Sequence, residues 1–561
     1  MPAHNAINNK IVFKGNAKEA EDKHRPILSL EIRKKFGKGP FSKQETVRDI
    51  ILFCLNYYVT EFKDVCHKET SLTFYQNILW FHEQATEIAV LHKEDDLSEP
   101  IDHEYISIYR RVLKFILETG CDVKMVSGEA TDQKFISRIE PVLNNLLYLG
   151  EMILSLADFY AEQSMIEEVV LISFDEKGQF KFSRNHHYNF IFEHIIKELG
   201  THLFKTVVDE SDLAGIEDLK NSFQECFGIK YEAVSHMVAA IDKQLKEKGD
   251  SNGVNWETYT YNMKEQFSIP YEITEQLFGG LRLDKNIKMD LLDLACKPYR
   301  IDRYLYKPLL IWNIDGKDFS FLGVNAWTES LLQYATNAIP WGKAPKEWLS
   351  NQCFKKYVHK KEDEHGKWLE NAFEKIVLEL NLKYDRNVKT LNHNKGSERI
   401  DIKGLGEVDF IVVSNHTKRI YIIDCKHLMS RYDIANQRND YNAFVLNKKS
   451  YNKTMRNKLD WFTSNKAILI QHLSGLGGVK EIENYSIEGV FVINTPTLYM
   501  YNSEFRIYTI SQIKDVLLNK YVDPKFLILD EENNSTYSVG YPYFKKPKQI
   551  NFDRLSEQND H

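Results

Sequence analysis

At 561 residues the chain exceeds what one hydrophobic core can organise, so two or three domains are expected. Hydrophobic residues make up 43% and charged residues 27%, with 30 Tyr and 32 Phe, which excludes wholesale disorder. The net charge of −7 gives no global attraction to polyanions.

The amino-terminal segment MPAHNAINNKIVFKGNAKEAEDKHRP lacks an apolar run, so no signal peptide is expected, and residues 1–40 read as a loose polar lead-in. From about 42 to 165 apolar residues recur at three- and four-residue spacing (Val47, Ile50, Ile51, Cys54, Leu55, Tyr58; Phe74, Ile78, Phe81; Leu146, Ile153, Leu156), which predicts amphipathic helices packed on one another. The acidic HKEDDLSEP at 92–100 reads as a connecting loop. The apolar stretch 141–160 is interrupted by Asn144, Asn145 and Glu151 and reads as a buried helix, so no membrane association is expected.

At 169–183 two β-rich runs flank Asp-Glu-Lys-Gly, a hairpin signature. Helices resume over about 187–246, and a second hairpin is predicted over 308–324, turning at Asp315-Gly316. The charge-dense KKYVHKKEDEHGK (355–367) reads as a domain boundary. His82-Glu83 lacks a second histidine at metal-ligand spacing and the pair His186-His187 has none, so both read as ordinary surface or core histidines. No phosphate-binding glycine loop, nucleophile elbow or H-E-x-x-H is present. The seven cysteines (54, 66, 121, 226, 296, 353, 425) are odd in number and form no C-x-x-C. They argue against a disulfide framework and a zinc ribbon, and fit a reducing cytoplasm.

The informative pattern lies in 362–500. GKWLENAFEKIVLEL (366–380) predicts an amphipathic helix with Leu369, Ala372, Phe373, Ile376, Val377 and Leu380 on its apolar face, bordered by Glu370 and Glu374. GEVDFIVV (406–413) and RIYIIDCKHL (419–428) around a short polar loop predict an antiparallel hairpin. If its turn centres between His416 and Thr417, Asp409 stands opposite Asp424, with Cβ atoms roughly 4.5–5.5 Å apart. Lys426 shares a face with Asp424, and Cys425 points the other way. Opposed carboxylates repel unless a cation lies between them. Two Asp oxygens with water and a phosphate oxygen suit Mg²⁺, and a neighbouring lysine suits phosphodiester hydrolysis, with a helix glutamate completing the shell. Asp401-Ile402-Lys403 repeats the Asp-x-Lys spacing but has no acid opposite it. Residues 426–460 then carry eight Lys/Arg against three acids, a local +5 that leaves −12 on the rest of the chain. That stretch reads as one long basic helix over 433–470 able to track phosphates, followed by GLGG (475–478) and a strand at 488–494.

These residues resemble the PD-(D/E)xK, or restriction-endonuclease-like, nuclease superfamily over about 360–500. Asp409 falls at the family's first acid, with valine in place of the nominal proline, and Asp424 and Lys426 fall at its (D/E)-x-K. Phe373-Glu374 resembles the Phe-Glu helix of Mrr-type enzymes, which makes Glu374 the helix carboxylate and Glu370 the reserve. Gln437 and Tyr441 match the supporting Q-x-x-x-Y of RecB-like branches. The chain as a whole reads as α+β and multidomain, with a helical domain at 1–165, a mixed helical domain with β-hairpins and a recognition or regulatory role at 166–355, and a tail at 526–561; for 356–525 the resemblance implies a nuclease domain with an αβββαβ core. It implies Mg²⁺ (or Mn²⁺) held by Asp409, Asp424, Glu374 and the Cys425 carbonyl, with Lys426 as the catalytic lysine. DNA ahead of RNA is the expected substrate, tracked by Arg438, Lys448, Lys449, Lys453 and Arg456, with the amino-terminal region serving a trigger, a partner protein or a second copy. The architecture resembles restriction and anti-phage defence effectors. An inactive nucleic-acid-binding or assembly protein and a transposition-associated nuclease subunit are the alternatives.

Overall fold

The computed structural model describes residues 3–7, 10–91, 103–129, 133–166, 168–184, 210–232, 253–298, 300–402, 404–429, 434–476, 481–500, 503–523, 525–530, 535–540 and 553–554. The loop at 92–100, His186-His187, most of the helical stretch expected over 187–246, Lys403 and half of GLGG lie outside the described residues. The chain divides into two compact units. The first comprises Met1–Tyr160, Ile172–Phe182 and Lys205–Glu362; the second comprises Ala161–Leu171, Ser183–Phe204 and Asp363–His561. No helix among the described residues is long and apolar enough to cross a membrane.

The first unit opens with paired strands β1 (Ala3–Ile7) and β2 (Lys10–Lys14), followed by α1 (Ala17–Phe36). The expected loose lead-in is therefore wrong for this stretch. Asn16 caps α1 by accepting from the Lys18 amide, and only a narrow stripe of Ala20, His24, Leu28, Ser29 and Ile32 is buried. Such a thin stripe in a charged segment hides its periodicity. Helices α2 (Gln44–Lys68), α3 (Leu72–Leu91), α4 (His103–Gly120) and α5 (Gln133–Met165) follow, and the apolar positions read from the sequence in them are buried except Phe81, which is half-buried. His82 is fully buried, which lowers its pKa to about 4 and keeps it neutral. Its neighbour Glu83 accepts from the backbone amides of Asn325 and Ala326.

A two-residue strand, β3 (Lys124–Met125), follows α4, and β4 (Val170–Phe174) pairs with β5 (Phe180–Arg184) as the first expected hairpin. Next come α6 (Glu210–Phe227), β6 (Val254–Asn255), α7 (Trp256–Phe267), α8 (Tyr271–Leu281), β7 (Arg282–Leu283) and α9 (Leu291–Cys296). The second hairpin joins β8 (Leu309–Ile314) to β9 (Lys317–Phe321), and Asp315 and Gly316 both have positive φ (48° and 85°) as a primed two-residue turn requires. Helices α10 (Val324–Gln333) and α11 (Lys346–Leu349) complete an aromatic core centred on Trp348, whose indole donates to the Leu277 carbonyl. The cysteine pattern argued against a disulfide framework, yet Cys226 and Cys353 form one disulfide; the other five cysteines form none. Their separation of 127 residues makes such a pairing invisible to spacing rules.

The charge-dense run expected as a boundary lies within one helix, α12 (Gln352–Glu379), and the division between the two units falls inside it, between Glu362 and Asp363. Its charges face water, so they do not interrupt the backbone hydrogen bonding. In the second unit, α12 is followed by β10 (Lys383–Val388), the small hairpin β11 (Thr390–His393) and β12 (Gly396–Arg399), β13 (Val408–Ser414) and β14 (Arg419–Lys426). The expected long basic helix is broken into α13 (Ile434–Tyr441), a π-turn at Asn442–Leu446, α14 (Tyr451–Ser464) and α15 (Lys466–Gly475). Ser450 starts α14 by capping the Lys453 amide, which is why one basic stretch yields separate helices. Then come β15 (Ser486–Ile493), β16 (Arg506–Thr509) and α16 (Ile513–Leu517). Part of the expected tail pairs as β17 (Lys525–Asp530), β18 (Ser535–Gly540) and β19 (Asp553–Arg554).

The central sheet runs β10-β13-β14-β15-β16, with an antiparallel meander through β14 and parallel pairing of β15 and β16 beyond it. Strand β14, central and buried on both faces, explains the doubly apolar RIYII. One face packs Leu369, Phe373 and Val377 of α12 against Phe410, Val412, Tyr421, Ile423 and Val490. The other face meets α14 most closely at Gly489, where a Cβ would come within 2.7 Å of Met455 Sδ and 2.8 Å of Leu459 Cδ1. Only glycine admits this helix so near the sheet.

Candidate active site

The β13–β14 ladder pairs Phe410 with Ile423 and Ser414 with Arg419, the register inferred from the turn. That register carries Asp409 and Asp424 to the end of the ladder, facing each other. Asp409 Oδ2 accepts from the Cys425 amide at 2.7 Å, and its Oδ1 has no hydrogen-bond partner among the described residues. Strand residues direct N–H and C=O to the same neighbour, so the Cys425 carbonyl also faces Asp409. The Cys425 side chain packs into the α12-side core, on the face opposite Asp424 and Lys426.

Asp424 is only 2% exposed. Its Oδ2 lies 3.6 Å from Lys426 Nζ. Its Oδ1 accepts from Lys458 Nζ at 2.6 Å, and the same ammonium donates to the Glu407 carbonyl at 2.6 Å. Lys458 comes from α14 and is 3% exposed. Its role was not read from the sequence, although a signal exists. It falls between Met455 and Phe462 at helical spacing, on the buried stripe of α14 where a lysine has no reason to lie without an anion. Lys426 Nζ also sits 5.3 Å from the centre of the Tyr451 ring.

These contacts divide the two acids. Burial pushes the Asp424 carboxyl up, but Lys426 and Lys458 outweigh it and hold it below the ordinary carboxylate value. Burial raises Asp409; Lys426 pulls it down, Asp424 pushes it up, and it ends at about 6. Burial disfavours the Lys426 ammonium, yet Asp424 and Asp409 more than compensate and hold it protonated. Lys426 is thus a fixed cation, not a proton acceptor.

The structure does not bring Glu374 or Glu370 to this pair. Glu374 Oε2 accepts from Arg386 at 2.6 Å and its Oε1 from the Tyr384 hydroxyl at 3.0 Å, while Glu370 Oε2 accepts from Arg386 at 3.0 Å. Arg386 stands over Phe410, on the α12 side of the sheet. The expected helix carboxylates are therefore corrected to ion-pair partners of a β10 arginine. Among the described residues no group of three or more His, Cys, Asp or Glu side chains is placed to share a metal. The donor chemistry still suits Mg²⁺ in kind. Hard carboxylate oxygens from Asp409 and Asp424, with the Cys425 carbonyl facing Asp409, are what an ion that retains several waters uses.

Gln437 is buried and accepts from Thr497 Oγ1 at 3.0 Å and the Leu498 amide at 3.1 Å, which ties α13 to the segment after β15. Tyr441 packs edge-on to Tyr499. Both thus hold α13 against the segment that follows β15. Asn494, just past β15, clamps Leu428 through both its amide and carbonyl and so fixes the chain leaving Lys426. Lys448, Lys449 and Lys453 are exposed, Arg438 is half-buried on α13, and exposed Arg456 forms a two-pronged ion pair with Glu504. The chain matches no protein-family model, no curated protein and no solved structure.

Proposed function

We propose that the second unit is a divalent-cation-dependent phosphodiesterase acting on DNA, a nuclease of the PD-(D/E)xK kind, and that the first unit gives it a recognition or regulatory role in restriction or anti-phage defence. The observation that carries this reading is the convergence of Asp409, Asp424 and Lys426 at the end of one strand pair, in the register that opposes the two acids. Asp409, Asp424 and the Cys425 carbonyl would hold the ion, which when bound supplies Lewis-acid polarisation of the scissile phosphate. Lys426, whose Nζ lies 3.6 Å from Asp424, orients the nucleophile and offsets charge building on the phosphate oxygens. Exposed Lys448, Lys449 and Lys453 offer phosphate contacts. Incubation of the protein with linear, circular and single-stranded DNA and with RNA, with and without Mg²⁺, tests the activity. Asp424→Ala and Lys426→Ala should each abolish cleavage; cleavage that survives both would refute the mechanism.

A second reading rests on Lys458. A buried ammonium already neutralises Asp424, as it would in a nucleic-acid-binding protein that keeps the arrangement without turnover. DNA retained on the protein, with no cleavage at any Mg²⁺ or Mn²⁺ concentration, would favour that reading.

A further inference from the structure

The site contains two lysines where its chemistry needs one. Lys426 adjoins the acids from their own strand, whereas Lys458 reaches them from a helix 34 residues further along the chain. Its ammonium does three things at once. It takes Asp424 Oδ1, it takes the Glu407 carbonyl just ahead of β13, and it is sealed from water beneath α14.

We propose that Lys458 is a resident counter-ion that occupies the Asp424 oxygen a divalent cation would use, so that the ion must displace it to bind; this rests on the metal-dependent reading above. The charge count explains the consequence. Two ammonium groups balance the two carboxylates before any metal arrives, so a divalent ion brings the cluster to a net charge of +2. Like charges at such separations oppose one another strongly in a buried setting. Divalent affinity is therefore weak until a phosphate contributes negative charge. Because coupling between two ligands is reciprocal, nucleic acid and metal each tighten the other. Lys458 thereby acts as a positioning residue that restrains the site when no substrate is present.

The test is calorimetric titration of the full-length protein with Mn²⁺, with no DNA present, for wild type, Lys458→Met, Lys458→Gln, Asp424→Asn and the double variant Lys458→Met/Asp424→Asn. The proposal expects both Lys458 variants to bind Mn²⁺ about tenfold more tightly or better than wild type, since one opposing charge is removed. Unchanged or weaker affinity in a Lys458 variant that retains its circular dichroism and melting transition would overturn it. Asp424→Asn separates the two ideas. If Lys458→Met binds Mn²⁺ no more tightly than the double variant Lys458→Met/Asp424→Asn, the metal site itself is absent and both readings fall. If Asp424→Asn loses binding while Lys458 variants gain none, only the counter-ion role fails.

Should both Lys458 variants fail to fold, acylation of lysines in the unmodified protein decides the matter. Lys458 should label faster with saturating Mn²⁺ than without it, relative to exposed Lys448 and Lys453. Labelling that stays constant or slows would refute displacement.

Discussion

The Asp424–Lys458 pair makes a quantitative prediction about stability. Both side chains are about as buried as the aliphatic core, and they meet at 2.6 Å. Two opposite charges about 4 Å apart attract by about 4 kcal/mol at an effective dielectric near 20. Removing one partner of such a pair costs about 3–5 kcal/mol, because the survivor is left buried with less compensation. The two partners are not equivalent. Asp424 retains Lys426 at 3.6 Å when Lys458 is lost, and Lys458 retains only the neutral Glu407 carbonyl when Asp424 is lost. Asp424→Asn should therefore be the more damaging single change, toward the upper end of that range, and Lys458→Met toward the lower end. The double variant should lose less than the two single losses combined, with a coupling of about 2–3 kcal/mol. Urea unfolding of the four proteins, with hydrogen exchange on peptides covering β14 to localise the effect, measures the cycle. A coupling below about 0.5 kcal/mol would mean that the contact does not exist in solution.

Other outcomes follow from the same geometry. Because the Asp409 carboxyl is held at about 6, the folded state binds a proton more tightly than the unfolded chain, and stability falls as pH rises from about 4 through 6. Asp409→Asn keeps an acceptor for the Cys425 amide and removes the penalty, so it should raise stability at pH 7 by on the order of 1 kcal/mol while abolishing cleavage. Melting curves at pH 4.5 and pH 7 should show the gain only at the higher pH; a loss at pH 7 would contradict the assigned electrostatics. Glu374→Gln should cost about 1 kcal/mol through its partly exposed contacts with Arg386 and Tyr384. Calorimetry should find its Mn²⁺ affinity unchanged, and a tenfold loss would show that the helix carboxylate reaches the ion after all.

The sheet end was legible because its rules are local. A short polar connection (Asn415–Lys418) between two continuous apolar runs sets the β13–β14 register, and that register fixes which acids oppose each other. The Asp315-Gly316 turn was legible for the same reason. What escaped the sequence depends on contacts between distant segments. Glu374 sits on the predicted helix and beside the predicted apolar stripe, but its orientation toward Arg386 depends on a strand twelve residues away. Lys458 was counted as one more basic residue, since a solvated and a buried lysine look alike until the opposite wall is known. The first helix escaped because a charged segment with a thin buried stripe resembles linker, whereas the charged run at 355–367 does mark the division between the units although its backbone stays helical.

Gly489 gives this arrangement a mechanical handle. The bare backbone at that point sets the height of α14 above the sheet, and a lysine side chain spans a fixed number of bonds. A methyl group there would act like a shim under one end of a lever. It would lift Met455 and Leu459 and draw the Lys458 tip away from Asp424 without altering a single charge. Steric spacing at a silent sheet position thus governs how firmly an acid two ladder rungs away is gripped.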